Sequence, residues 1–542
     1  MPFQIRNISL PLGSAEADLP CILSKRLAIP AGTIRSCDLI RKGIDARRKG
    51  QIHFVCTLRF TVDDEQALLL KHAGDPDLVL LPEEPAEAFP RVAAQCRVVI
   101  VGTGPAGLFA ALRLAEYGLC ATLLERGKPV DERLRDVQEF WGRALLNPES
   151  NVQFGEGGAG TFSDGKLTTR VRDRRIAYIL NRLVAFGAPP EIAWLAKPHI
   201  GTDRLRAVLV NLRRHLESSG SQVLFSHRLS DLVVSGDLIR GVVVNDVDEF
   251  PCDYLILAPG HSARDTYRML DMRGVALEQK PFAVGVRIEH PQELINRIQY
   301  GVPGHPQLPP ADYALAWNAP QGGRSAYSFC MCPGGVVVAG SSEPGGVVTN
   351  GMSNHLRNSP YANSALVVTV GRHDFPDESP LAGIAYQRRL EAAAFAAGGG
   401  AYRAPAQKLP DFLGQRQGGS LRSSYRPGVR EVDLHEVLPD YITATLREGI
   451  QHFNRKMRGF ISSEATLTGV ETRTSAPLRI LRGEDLQSVT CAGLYPAGEG
   501  AGYAGGIMSA ALDGIRVADA IASRVDRQGP VHARPEAIPQ WF

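Results

Sequence analysis

The 542-residue sequence predicts an α/β protein in three parts. A parallel-sheet domain is split into two stretches of chain, a mixed α/β unit is inserted between them, and a small α/β module precedes both. Three observations predict this. Residues 96–124 read as strand, glycine turn, helix and strand, CRVVIVGTGPAGLFAALRLAEYGLCATLL. A short continuous apolar run followed by a helix is the pattern of a strand buried on both faces. The same texture returns near Leu494, whereas residues 281–460 alternate strand-like pieces (PFAVGVRIE, GVVVAGSS, ALVVTV) with loops. The expected divisions are 1–93, 94–280, 281–460 and 461–542.

In the N-terminal module, residues 51–62 (QIHFVCTLRFTV) alternate and are rich in β-branched and aromatic side chains, so they read as a strand. Residues 36–49, with several basic side chains, read as a helix. Residues 81–90 (LPEEPAEAFP) are rich in proline and acid and read as a linker. Further on, residues 221–253 read as antiparallel strand pairs and 254–258 (YLILA) as another buried strand, ending in PGHSAR. Residues 392–407 (AAAFAAGGGAYRAPAQ) read as a low-complexity loop or frayed helix.

Composition excludes several classes. A hydrophobic fraction of 44%, a charged fraction of 22% and a net charge of +3 are those of an ordinary globular protein with no global pull toward nucleic acid or an anionic membrane. No apolar run is long enough to span a bilayer. The nine cysteines form no CxxC pair and the N-terminus shows no secretory pattern, so a reducing cytoplasm is expected. Without HExxH, a zinc-spaced Cys/His set or a P-loop, neither a metal nor ATP is expected.

The chemistry is carried by glycines. Gly102, Gly104 and Gly107 have GxGxxG spacing directly after a strand and at the start of a helix. Gly102 permits the tight turn, Gly104 lets the backbone approach a pyrophosphate, and Gly107 allows helix and strand to touch. Pro105 and Ala106 open the helix, whose positive end suits the phosphates. Glu125 ends the second strand where an acid binds ribose hydroxyls, with Arg126 beside it. This is a Rossmann-type dinucleotide half, and alone it leaves FAD and NAD open.

The choice comes from GLYPAGEGAGYAGGIMSAALDGIRVADAI near the C-terminus. It contains a strand, then Gly498, Glu499, Gly505 and Gly506, then a small-residue helix from Ile507. The segment resembles the second FAD motif of glutathione-reductase-type flavoproteins. That resemblance implies that Glu499, where Asp is commoner, binds the ribitol, and that the helix faces the pyrophosphate or the flavin O2 edge. In NVQFGEGGAGTFSDGKLTTR, Gly155, Gly157 and Gly158 fit a loop lying against a flat ligand rather than a packed core. In LILAPGHSARDTY, the Ala-Pro-Gly at a strand end, with Gly260, resembles the flavoprotein ATG motif.

Together with ARRKGQIHFV, YSFCMCPGG, TNGMS and GVETRTSAPLRI, these motifs resemble the uncharacterised FAD-dependent dehydrogenases, a group within the glutathione-reductase-like superfamily, from about Ala46 to the end. The fold implied is a discontinuous Rossmann-type FAD domain with an inserted mixed α/β substrate domain and a small N-terminal α/β module.

Four side chains are candidates for catalysis. Arg473 could bind an anionic substrate or stabilise a reduced flavin, or sit in a salt bridge. His261 could act as acid–base, as a flavin neighbour, or as a satisfied loop histidine. Cys330 and Cys332 form CMC, either a redox thiol beside a flavin or two buried strand-end cysteines. Asp164 and Lys166 are functional or turn residues. The flavin ring is expected between the 155–167 loop, the APGHSAR strand end and the helix starting near Gly506.

The expected activity is an FAD-dependent dehydrogenase or oxidase acting by hydride transfer on a small organic substrate, with NAD(P)H docking transiently if it is used. The alternative is a flavoprotein acting on RNA, with the basic run RKGIDARRKG docking tRNA, although a solvated surface fits that run better. The blander alternative is a flavin-binding scaffold without turnover.

Overall fold

The computed structural model describes all residues except 83–88, 93–95, 416–419 and 529–542. The expected linker at 81–90 and the boundary at 93/94 fall mostly outside the described residues.

Five strands form one all-parallel sheet in the order Leu494–Pro496, Tyr254–Leu257, Val98–Val101, Ala121–Glu125, Gln222–Phe225. The chain's return near its C-terminus therefore supplies an edge strand of the sheet that opens at Val98. On one face the helices Pro105–Glu116, Thr202–Ser218 and Ile507–Gln528 bury Ile100, Leu123, Ile256 and Tyr495 against Leu112, Leu209 and Ile515. On the other face an antiparallel three-stranded sheet (Leu229–Ser235, Leu238–Val244, Asp248–Pro251) covers Val99, Val101, Leu255 and Leu257. Burial on both faces is why these strands read as continuous apolar runs. Gln222–Phe225, expected among antiparallel pairs, instead joins the parallel edge.

The second unit is a seven-stranded sheet in the order Ala316–Asn318, Ser325–Cys332, Tyr361–Val370, Phe282–Pro291, Thr466–Glu471, Ala404–Lys408, Val429–Glu431. Thr466–Glu471, expected with the returning stretch after 460, pairs inside this sheet between Phe282–Pro291 and Ala404–Lys408. Residues 392–407 are a loop only at 398–403. They end the helix Ala382–Ala397 and then form the strand Ala404–Lys408. Alanine is the strongest helix former, and Leu390, Ala394, Ala404 and Ala406 are buried, so tertiary packing holds both elements.

The N-terminal module is a four-stranded sheet, Ile34–Asp45, His53–Val62, Phe3–Pro11, Leu78–Leu80, with the helices Leu19–Leu27 and Glu65–Lys71. The expected helix at 36–49 is a strand, Ile34–Asp45, paired antiparallel with His53–Val62. It is an edge strand with little burial on either face, so its charged residues never produce the alternation that marks a half-buried strand. Its Lys42 exchanges backbone hydrogen bonds with Trp194 and Ala196, docking the module on the parallel-sheet domain. Among the described residues, no helix is long and apolar enough to cross a membrane.

Candidate functional site

A cavity of about 410 Å³ lies where the carboxyl ends of the parallel strands meet the seven-stranded sheet. Ligands of open α/β sheets bind at that edge. Its lining includes Gly102, Gly104, Pro105, Ala106, Glu125, Arg126, Gly158, Gly260, His261, Cys330, Arg473, Glu499, Gly505, Gly506 and Ile507, all singled out from sequence. Gly107, Gly155, Gly157, Gly498 and Cys332 lie behind it.

The glycine turn follows its motif locally. Gly102 has φ +98, and a Cβ there would overlap Ala258 O; a Cβ on Gly107 would overlap Gly102 O. Gly104 is different. It caps the helix Pro105–Glu116 at φ −71, and its Cβ would meet nothing closer than Gly158 Cα at 3.9 Å. Neither backbone conformation nor protein packing demands glycine there. Gly505, also on the cavity, has no protein atom within 4 Å of a Cβ and no left-handed φ. Such positions form a cradle that side chains would fill and a close-lying ligand would need empty. The helices Pro105–Glu116 and Ile507–Gln528 both begin at the cavity, and their exposed amides and dipoles favour an anion there. They pack tightly: a Cβ on Gly498 would stand 2.7 Å from Ala106 Cβ, and one on Gly514 would overlap Ala106 O.

The two acids differ. Glu125, expected on ribose hydroxyls, spends its carboxylate inside the protein. One oxygen accepts from Thr103 N (2.9 Å) and Thr103 Oγ1 (2.7 Å), the other from Gly127 N (2.9 Å) and Gly155 N (3.0 Å). A carboxylate has about four acceptor sites, so Glu125 ties the glycine turn to the 151–170 loop. Glu499 instead presents its carboxyl to the cavity. Burial pushes its pKa up to about 7, against the opposing pull of Lys280.

The 151–170 loop is a packed structure, not only a ligand-facing one. A Cβ on Gly155 would overlap Arg133, and one on Gly157 would overlap Leu209 and Thr161. Those glycines make room for protein, which corrects their expected contact with a ligand; Gly158 alone of the three lines the cavity. Arg133 is fully buried in the loop. It donates to the carbonyls of Asn151 (2.8 Å), Val152 (2.9 Å), Gly155 (3.2 Å) and Glu156 (2.7 Å). Burial lowers its pKa to about 10. Sequence reasoning missed it, yet Arg133 falls on one helical stripe with the buried Val130, Val137 and Phe140. A charge on an apolar stripe was the available signal. Arg126 is likewise committed. It pairs with Glu149 (2.8 Å) and Asp265 (2.8 Å) over the Phe154 ring.

On the far wall, Arg473 is paired rather than free. Its Nε and Nη2 donate to Glu391 at 3.0 and 2.9 Å, and Nη1 donates to Ser262 Oγ (3.1 Å) and Ser342 Oγ (2.5 Å). Glu391 also accepts from Arg264 (2.8 Å). The salt-bridge alternative is the one present: Arg473 shares Glu391 with Arg264 and commits its guanidinium to that carboxylate and two serines. His261 shares a hydrogen bond with Ser262 Oγ at 2.9 Å. Burial, with Arg473 and Arg264 nearby, lowers its pKa to about 3, so it is a neutral ring near pH 7. Asp164 pairs with Arg357 and Ser353, and Lys166 donates to the Met331 carbonyl. Cys330 lines the cavity with Phe329, while Cys332 is 0% exposed.

Gly500, unremarked in the sequence, joins two of the motifs. A Cβ there would stand 2.6 Å from Gly260 O, and Tyr267 Oη donates to both Gly260 O (3.1 Å) and Gly500 O (2.8 Å).

This lining suits FAD. The Gly104–Ala106 turn would hold phosphate, Glu499 the ribitol hydroxyls, and Gly260 and Gly505–Ile507 the ring. The basic run at 41–50 lies apart. Its Lys42 pairs with Glu16 and its Arg47 with Asp45.

Comparison with known proteins bears on this site directly. Residues 95–135, from the glycine turn through Arg133, match the FAD binding domain family. Residues 281–474 match the family described as FAD-dependent protein, C-terminal domain-like, and this match takes in Thr466–Glu471. Residues 2–61 match a domain of unknown function. A Clostridium beijerinckii protein described as uncharacterised is 46% identical over 531 residues, 97% of this chain and 99% of that one. Similar solved structures include the flavin-dependent brominase Bmp2 (14% identity, 81% of each chain, TM-score 0.36). FqzB (14%, 82% of this chain and 79% of that one, 0.36) and a geranylgeranyl bacteriochlorophyll reductase-like protein of Thermoplasma acidophilum (11%, 80% of each, 0.35) are others.

Proposed function

We propose that this chain, which belongs to one family with the Clostridium beijerinckii relative and binds FAD, is an oxidoreductase moving an electron pair between the flavin and a small organic substrate. The observation that carries this reading is the composition of the cavity. One wall is made of glycine turns and helix starts from the parallel-sheet domain; the other is made of Phe329, Cys330, Asn350, Glu471 and Thr474 from the second unit. A cofactor held by the first wall leaves the second to meet a substrate.

FAD supplies hydride-type redox chemistry when bound. The chain's own residues supply binding and charge. The start of the helix Ile507–Gln528 stabilises negative charge at the ring end of the cavity. Glu499, with a pKa of about 7, gives up or takes a proton at little cost near neutral pH. Arg473, paired with Glu391, orients Ser262 beside His261 and acts as a positioning residue.

A small molecule fits this enclosed site better than RNA, and the ion pairs of the basic run support the same choice. NAD(P)H would dock transiently. The AGSSEPGG stretch connects the strands Val336–Ala339 and Thr349–Met352, which pair as a hairpin and not as a second glycine-turn–helix unit.

The test is anaerobic bleaching of the bound flavin by NADH, NADPH and a panel of organic reductants. Bleaching by one class identifies the electron donor. If dithionite alone bleaches the flavin, and no acceptor reoxidises it faster than air, the proposal fails in favour of a scaffold. Salt-sensitive tRNA binding would favour the RNA reading.

A further inference from the structure

The strand Ser325–Cys332 leaves its pairing with Tyr361–Val370 between Phe329 and Cys332. Within that bulge Cys330 takes a left-handed backbone, φ +44, which is costly for a residue with a side chain and is kept where the surroundings enforce it. The kink sets Cys330 on the cavity wall and Cys332 buried behind it, with the Cys332 thiol donating to the Cys330 carbonyl at 3.4 Å. Two cations grip the same few atoms. Lys166, from the 151–170 loop, donates to the carbonyl of the intervening Met331, and Arg287 donates to the Cys330 carbonyl at 3.1 Å. Cys330 lines the same cavity as Glu499, Lys166 and the start of the helix Ile507–Gln528.

We propose that Cys330 and Cys332 are a redox pair that cycles between dithiol and disulfide in electron exchange with the flavin. The inference rests on the FAD reading above. In the oxidising direction both S–H bonds break and one S–S bond forms. The electron pair and one proton pass to the flavin, and the second proton leaves through the cavity. Cys330 is the half that an external thiol or disulfide reaches.

The two thiols differ as an attacking and a resolving thiol should. The neighbouring Cys332 thiol, with Lys166 and Arg287, holds the Cys330 thiol below its ordinary range, and Cys332 is pushed well up. The buried Cys56, Cys252 and Cys491 and the half-buried Cys96 are all driven upward by burial, so low-pKa character is not general in this chain.

The holoprotein provides the test. Released flavin is quantified first, and this step alone judges the FAD reading. After diamide oxidation, the peptide carrying both cysteines should resist alkylation and be lighter by two hydrogens. Anaerobic dithionite titration should then consume about twice the electrons taken by the flavin alone. Cys332→Ser should keep its flavin, take up only the flavin's share, and show a long-wavelength thiolate–flavin band. Cys330→Ser should lack that band. Flavin-replete wild type in which both cysteines alkylate after oxidation, with electron uptake equal to the flavin's share, would overturn the proposal. Wild type without flavin would overturn both readings.

Discussion

Gly104→Asp separates ligand binding from folding. At φ −71 the position accepts any residue, and the new Cβ would stand 3.9 Å from its nearest protein neighbour, so the fold has room for the side chain. Asp is also a better helix N-cap than Gly, by a few tenths of a kcal/mol, so the FAD-free variant should unfold at the wild-type temperature or slightly above it. Binding should fail. A carboxylate about 4 Å from one phosphate charge costs about 4 kcal/mol at an effective dielectric of about 20. At about 1.4 kcal/mol per decade this is roughly a thousandfold in Kd, before steric exclusion is counted. The assay pairs thermal unfolding of stripped protein with flavin content after purification. Gly107→Ala is the control: its Cβ would overlap Gly102 O, so it should lower stability with or without FAD. Stoichiometric FAD in Gly104→Asp would refute the assignment of the phosphate turn.

Three further outcomes follow from the same geometry. Glu125→Ala strands the amides of Thr103, Gly127 and Gly155, at about 1–3 kcal/mol for each unsatisfied buried group, so denaturant unfolding of the FAD-free variant should move down by several kcal/mol; unchanged stability would mean that Glu125 is free to serve ribose. Glu391→Gln leaves the Arg264 and Arg473 guanidiniums buried without their shared carboxylate, and should cost about 3–5 kcal/mol in the same assay. Glu499 has a folded pKa of about 7, raised from 4.5. Its stabilising contribution is therefore complete below pH 4.5 and is lost as pH rises toward 7. The FAD-free wild type should lose stability relative to Glu499→Gln across that window, and parallel pH curves would contradict the assignment.

The parallel strands other than Gln222–Phe225, the glycine turns and the cofactor class were legible in the sequence alone. These rest on local physics: buried strands are apolar throughout, and only certain backbone conformations and close approaches require glycine at Gly102 and Gly107. Tertiary structure decided everything that depends on partners. The edge strand Ile34–Asp45 is legible only through its pairing with His53–Val62, because little of it is buried. Glu125 has the right spacing for ribose, but the arrival of Gly155 from another loop occupies it. Arg473 carries a charge in any sequence reading, and Glu391, 82 residues away, pairs with it. Lys166 and Met331 meet across 165 residues. Charge and hydrogen-bond satisfaction are decided by whatever the folded chain brings within about 3 Å, and no local pattern encodes which distant residue that will be.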